Sequence, residues 1–388
     1  MLESMKPRQN SGSSELCCGS YINKRRHSRA YGRHDTLYAE SCFCDKETGM
    51  YEHTAQYNVR TAAGRLIKET GSENMEAEMK YLTEGHLIGE AENITATASP
   101  SGLAAARSSG RILEGYVYMC DSEHNLHLRL PCMEGIIPRD EGAMGIESGE
   151  TRDIALISKV NKPVCFKVMD IITDENGEKK AILSRRLAQE ECMSEYISKL
   201  SPGDIIPAKV THLEQFGAFV DIGCGIPSLV PIDVISVSRI SHPSDRFSVG
   251  QDIRVIVKAF VDGKIWLTHK ELLGTWEDNA SRFRVGETVS GIIRSVEEYG
   301  VFVELAPNLA GLAEPKPGIR AGQCASVYIK SIVPDKMKIK LIIVDVFDHM
   351  PIQSEMRYFV SDSRIKSWQY SGNVRSGSPM RSTQVSYF

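Results

Sequence analysis

The stretch Gly203-Asp-Ile-Ile-Pro-Ala-Lys-Val-Thr-His-Leu-Glu-Gln-Phe-Gly-Ala-Phe-Val-Asp-Ile222 alternates apolar with polar residues, and Val249-Gly-Gln-Asp-Ile-Arg-Val-Ile-Val-Lys-Ala-Phe-Val-Asp-Gly-Lys-Ile-Trp-Leu-Thr268 closes the same segment. Gly, Pro and Asp interrupt these runs at short intervals, so residues 203–270 read as the short strands of a small, half-buried β-barrel. Phe216 and Phe219 flank Gly217. Three positions apart on one strand they would face opposite ways, but a bulge at Gly217 would re-aim the chain and bring both rings to one surface. Two rings on a barrel face form a platform for stacking nucleobases.

The segment is repeated downstream, in residues 284–348. Gly286-Glu-Thr-Val-Ser-Gly-Ile-Ile293 parallels Gly203-Asp-Ile-Ile-Pro-Ala-Lys-Val210, and Tyr299-Gly-Val-Phe302-Val-Glu-Leu305 parallels Phe216-Gly-Ala-Phe219-Val-Asp-Ile222. Residues 322–327 match 250–255, and Met337-Lys-Ile-Lys-Leu341 matches Lys264-Ile-Trp-Leu267. Self-similarity of this extent marks tandem copies of one structural unit.

Residues 108–190 read as a degenerate third copy. They alternate over 112–119, 125–130, 164–171 and 180–184, the last two runs joined through Asp174-Glu-Asn-Gly177, in which Asn-Gly is a hairpin signal. Where the copy should carry its rings it has Ser122-Glu-His-Asn-Leu126, and its acids outnumber its bases, which suits a structural or protein-binding module better than a base-binding one.

Residues 191–202 and 271–283 read as linker helices, with Trp276 in the second as a packing anchor between barrels. Residues 1–107 read as a basic, largely disordered arm and linker, ending in a short helix after Ser99-Pro-Ser-Gly102. Cys17, Cys18, Cys42 and Cys44 are too closely paired for a zinc knuckle. In residues 349–388, Arg357, Arg364 and Lys366 alternate with Tyr358, Trp368 and Tyr370. Two readings stand for this tail: RNA contacts through cations and rings, or a strand pair packed on the third barrel.

On these residues the second unit resembles the S1 domain family, the RNA-binding OB-fold repeats of the largest bacterial small-subunit ribosomal protein, and the whole arrangement resembles its few-repeat relatives in Gram-positive anaerobes. The resemblance spans roughly residues 110–348 and is most specific in the second unit. It implies an all-β chain of three tandem five-stranded OB barrels joined by short helical linkers, behind a disordered N-terminal arm. It also implies an RNA face with two rings, a His after the third strand, and an acid and a base near the end of the fourth. Phe216, Phe219, Asp262 and Lys264 fit these roles in the second unit, and Tyr299, Phe302, Asp335 and Lys338 in the third. The His position falls on Pro231 and on Glu314, so His242 and Arg246, in the long insertion 236–247, stand as substitutes.

Arg254 and Arg294 join Lys209, Lys258, Lys330, Lys336 and Lys340 as further cations for phosphates. The expected ligand is single-stranded RNA, foremost mRNA in translation, with the small ribosomal subunit as a candidate partner. An RNA-decay role and a ribosome-associated protein-binding adaptor are the alternatives.

A composition of 41% hydrophobic and 25% charged residues is that of a soluble globular protein, and no apolar run approaches a membrane span. Ten cysteines are too sparse for a disulfide scaffold, which fits a cytoplasmic protein with reduced thiols. A net charge of −4 gives no basic surplus, so phosphate binding must rest on how charge is distributed. The chain has no Gly-rich phosphate loop, no His-Glu-x-x-His and no paired Cys-x-x-Cys. No catalysis, metal or cofactor is therefore expected.

Overall fold

A computed structural model describes residues 80–175, 177–261, 263–348, 356–371 and 384–387. Period-two alternation turns one set of side chains inward on each strand, and three strand sets close on these sets as three five-stranded barrels. Barrel one contains β1 (Leu113–Cys120), β2 (Leu126–Arg129), β3 (Glu134–Ile137), β4 (Pro163–Thr173) and β5 (Lys179–Ser184). Barrel two contains β6 (Ile205–Glu214), β7 (Gly217–Asp221), β8 (Pro227–Pro231), β9 (Asp252–Val261) and β10 (Lys264–Thr268). Barrel three contains β11 (Thr288–Glu297), β12 (Gly300–Ala306), β13 (Leu309–Ala313), β14 (Cys324–Val333) and β15 (Lys338–Phe347).

All three share one topology. The first strand pairs with the second and the fourth, and the third pairs parallel with the fifth, as in β8 with β10. This is the Greek-key barrel arrangement of an OB fold, here closed in all three units. Inside barrel two, Ala208, Val210, Val220, Val230, Val255 and Leu267 are buried.

The repeat extends to irregularities. Each barrel has a bulge in its first strand, at Tyr118, Thr211 or Arg294, and another in its fourth, at Met169, Lys258 or Lys330. Bulges sharpen the local twist, and a five-stranded sheet needs that coiling to close. The bulge expected at Gly217 therefore lies instead at Thr211, on the partner strand. Gly217 is required for another reason: a Cβ there would come within 2.6 Å of the Val230 carbonyl oxygen.

Residues 80–107, expected within the largely disordered arm and linker, are folded; residues 1–79 lie outside the described residues. Two helices, Ala91–Thr97 and Pro100–Ser109, pack Ala96, Leu103 and Ala106 into the core of barrel one. The second starts where Ser99 accepts from the Gly102 amide and stops at Gly110, whose φ of 64° suits glycine. The short helix expected after Ser99-Pro-Ser-Gly102 is this second one, which starts inside that stretch, at Pro100. Just upstream, Tyr81 stacks on Tyr196, and the buried Glu84 pairs with Arg185 at 2.7 Å and Lys159 at 2.6 Å. Burial alone would raise the Glu84 carboxyl, but these two cations hold it down at about 2. Its amide donates to Asp221 of β7 (2.7 Å), so this segment wedges between barrels one and two.

A helix over Arg185–Glu195, capped by Ser184, leads from barrel one to barrel two. Barrels two and three are joined by Trp276–Ala280, capped by Thr275. Trp276 is buried against the core of barrel three.

The tail forms a strand pair, β16 (Ser367–Gln369) with β17 (Gln384–Ser386). Its body packs mainly on barrel two: Tyr358, Val360, Ile365 and Tyr387 cover Ile205, Ile256 and Leu272. Ile205 donates to the Ser363 carbonyl and Ile365 to that of Gly203. Tyr370 reaches barrel three, its hydroxyl donating to the Asn308 carbonyl at 2.6 Å. Trp368 is buried.

Candidate nucleic-acid interface

Phe216 occupies the turn between β6 and β7 and is thereby free of strand alternation. Its ring, 56% exposed, leans edge-on against Phe219, with centroids 5.9 Å apart and planes at 87°. Phe219 is half-buried. Barrel three reproduces this: Tyr299 is 69% exposed and stands at 86° to the half-buried Phe302, 6.1 Å away. Each pair presents a free ring held upright by a fixed one, a stacking surface that loses little entropy on binding.

Register places further groups beside the rings. His212 lies opposite Phe219, Phe219 opposite Leu229, and Leu229 opposite Trp266, so one outward row crosses β6, β7, β8 and β10. His212 stacks on Phe219 at 6.3 Å and 29°. In barrel three the row reads Ser295, Phe302, Leu312, Lys340. Neither His212 nor Trp266 was among the candidates. The imidazole beside the rings is thus His212, while His242 caps a short 3-10 turn through Ser244.

Lys264 and Lys338 are exposed at the starts of β10 and β15, and Asp335 is exposed in the turn before β15. Asp262 lies outside the described residues. Pro231 ends β8 opposite Gly217, and Glu314 is exposed just past β13.

Three candidate arginines, Arg254 and Arg294 expected at phosphates and Arg246 as a substitute for the family's His, have partners elsewhere. Arg246 reaches from the 236–247 insertion into a buried pair with Glu304 of barrel three, at 2.5 Å with both side chains 4% exposed. Arg294 holds the same carboxylate at 2.8 Å and Asp245 at 3.1 Å. Arg254 donates to the Val360 and Asp362 carbonyls of the tail at 2.7 and 2.9 Å. Lys209 donates to the Glu84 carbonyl. A chain's charge pattern does not reveal which cations face another element.

In barrel one the same register brings His127, not a ring hydrocarbon, to the position of Phe219 and Phe302. The counterpart of the ring motif is therefore His124-Asn-Leu-His127, which overlaps the expected stretch and ends one residue beyond it. Carboxylates hold His127 on both sides, Glu134 at 3.0 Å and Asp121 at 3.2 Å, and Glu134 also accepts from Tyr118. A face whose imidazole is flanked by acids repels phosphate.

Residues 199–264 match the family model for the S1 RNA binding domain. The central barrel belongs to the S1 domain family. The S1 match covers β6 to β9 of barrel two with the approach to it and stops at the start of β10, and the topology, bulges and ring pair recur in barrel three. The chain is 30% identical over 177 residues to small ribosomal subunit protein bS1 of Leuconostoc lactis, covering 42% of this chain and 41% of that one. It is 30% identical over 196 residues to the protein of that name in Staphylococcus aureus (46% and 49%) and 27% identical over 240 residues to that of Streptococcus pneumoniae (57% and 60%). The chain thus spans about half the length of these curated relatives.

Proposed function

We propose that the chain binds single-stranded RNA on barrels two and three and acts in translation, with messenger RNA as its ligand and the small ribosomal subunit as its setting. The carrying observation is the perpendicular ring pair, built twice at one register: an exposed Phe216 or Tyr299 braced by Phe219 or Phe302. The exposed rings stack bases; Lys264, Lys338 and the bulge residues Lys258 and Lys330 neutralise phosphates. Asp335 and Asp262 complete the two sets by position in the sequence, and His242, on the insertion, stands in for the family's His. The names of the relatives support the setting in translation. Binding, rather than catalysis, is the activity, exercised in the cytoplasm. Among the described residues no helix is long and apolar enough to cross a membrane, and no cluster of metal-ligating residues occurs.

The test is fluorescence anisotropy of labelled single-stranded and duplex RNA over a salt series, with the wild-type chain and the double variant Phe216→Ala/Tyr299→Ala. At about 1–3 kcal/mol per stacked base, the double variant should lose roughly 30-fold or more in affinity with unchanged circular dichroism. Equal affinity for duplex, or no loss in the variant, would overturn the reading.

A further inference from the structure

The outward row of barrel two ends in a residue that the ring-pair description leaves unused. Trp266 is 46% exposed in the middle of β10, a strand whose neighbours on both sides hold it rigid. Trp276 and Trp368, the other two tryptophans of the chain, are 3% and 5% exposed. A large ring left this open on a regular strand leaves unsatisfied the burial that tryptophan normally finds. Between it and Phe219 lies only Leu229, half-buried and on the same face. The two rings are thus two strand spacings apart, about 9–10 Å, with an apolar floor between them.

Lys264 sits two residues before Trp266 on the same face, about 7 Å along the strand, so a cation accompanies the ring. Barrel three has Lys340 at the position of Trp266, with Lys338 two residues before it, and barrel one has Ile182. Among the three barrels, the ring at this site belongs to barrel two.

We infer that Trp266 is a third base-stacking ring, which carries the RNA track of barrel two across β8 and lets that barrel hold a nucleobase that barrel three does not. The inference rests on the RNA reading above. A base on Trp266 and a base on Phe216 or Phe219 cannot stack on each other across this gap, so the strand is held splayed, each base on its own ring and the intervening sugar-phosphate over Leu229. Lys264 takes the phosphate beside the Trp266 base. At the matching place in barrel three, Lys340 offers a second charge in place of a π-face. Barrel two is therefore the less salt-sensitive of the two sites and barrel three the more.

The arrangement supplies its own probe, because Trp266 is the exposed tryptophan. The full chain is titrated with a short single-stranded oligoadenylate, following tryptophan emission and, in parallel, the anisotropy of the labelled oligonucleotide. Emission should be quenched with the same midpoint as the anisotropy change. Trp266→Phe should abolish the quench while retaining most of the affinity, and Trp266→Ala should weaken binding about 5- to 150-fold. Unchanged emission in a complex that Phe216→Ala still weakens would overturn the role of Trp266 and leave the RNA reading intact. A quench without loss of affinity in Trp266→Ala would also overturn it, placing the ring near RNA but not under a base. Absence of any binding by the wild-type chain would overturn the RNA reading and this inference with it. The wild-type emission decides even if the alanine variant misfolds.

Discussion

Replacing Glu304 by Gln should separate a structural junction from an RNA contact. The Glu304 carboxylate belongs to barrel three but is buried beneath the 236–247 insertion of barrel two, holding Arg246 at 2.5 Å and Arg294 at 2.8 Å. Burial lowers the Arg246 guanidinium from its ordinary range, and the Glu304 charge offsets that. Gln keeps the shape and removes the charge, leaving two guanidiniums facing each other with little water. Breaking a buried pair in this way costs about 3–5 kcal/mol. For a cooperative unit of two barrels, each kcal/mol moves the midpoint by about 2–4 °C, so Tm should fall by roughly 6–20 °C. Calorimetry and denaturant titration of the full chain measure this, and because the site is buried, added salt should change the loss little. Arg246→Met in a Glu304→Leu background should recover part of it, as apolar replacement of both partners often does. A loss below about 1 kcal/mol, the value of an exposed pair, would refute the junction. So would an Arg246→Met variant that keeps its stability but loses RNA affinity and salt dependence, since that is the behaviour of a phosphate contact.

Two further outcomes follow from buried groups. His269 donates to the Ile235 carbonyl, packs against Phe247 and Tyr358, and is pushed by burial down to about 4; its folded value lies below its unfolded one, so its contribution is complete above about pH 6.5 and is lost as pH falls toward 4. Wild type should thus lose about 2 kcal/mol more than His269→Gln between pH 7 and 5 by denaturant titration, an equal slope counting against the argument; burial raises Glu114 to about 7 and Asp221 to about 6, but those opposing effects are common to both proteins. Arg254→Ala removes two hydrogen bonds to the tail, at Val360 and Asp362, and should speed proteolytic release of residues beyond 355 several-fold without changing RNA affinity; an unchanged cleavage rate with weakened binding would return Arg254 to the phosphate-binding set.

The barrels and their ring pairs were legible because each is encoded locally. Alternation gives the strands, and Phe216-Gly-Ala-Phe219 against Tyr299-Gly-Val-Phe302 gives the pairs. His212 and Trp266 were not legible, since their place beside Phe219 depends on a bulge at Thr211 and on the parallel pairing of β8 with β10, two segments separated by the whole insertion. The same long-range geometry pairs Arg246 and Arg294 with Glu304 and ties Arg254 to the tail, contacts that the local sequence does not encode. It also shifts the ring counterparts in barrel one to His124 and His127. Lys264, Lys338 and Asp335, named through the S1 resemblance, are exposed.

The tail's grip on barrel two has a consequence in time. A chain is made from its N-terminus, so Ile205, Ile256 and Leu272 are in place long before Tyr358 and Tyr387, which cover them. Throughout synthesis of barrel three, the nascent second barrel carries an open apolar groove and strand groups at Gly203 and Ile205 awaiting their partners. Such surfaces attract other chains and chaperones. Docking of the segment around Tyr358 and Tyr387 must then displace whatever has settled there.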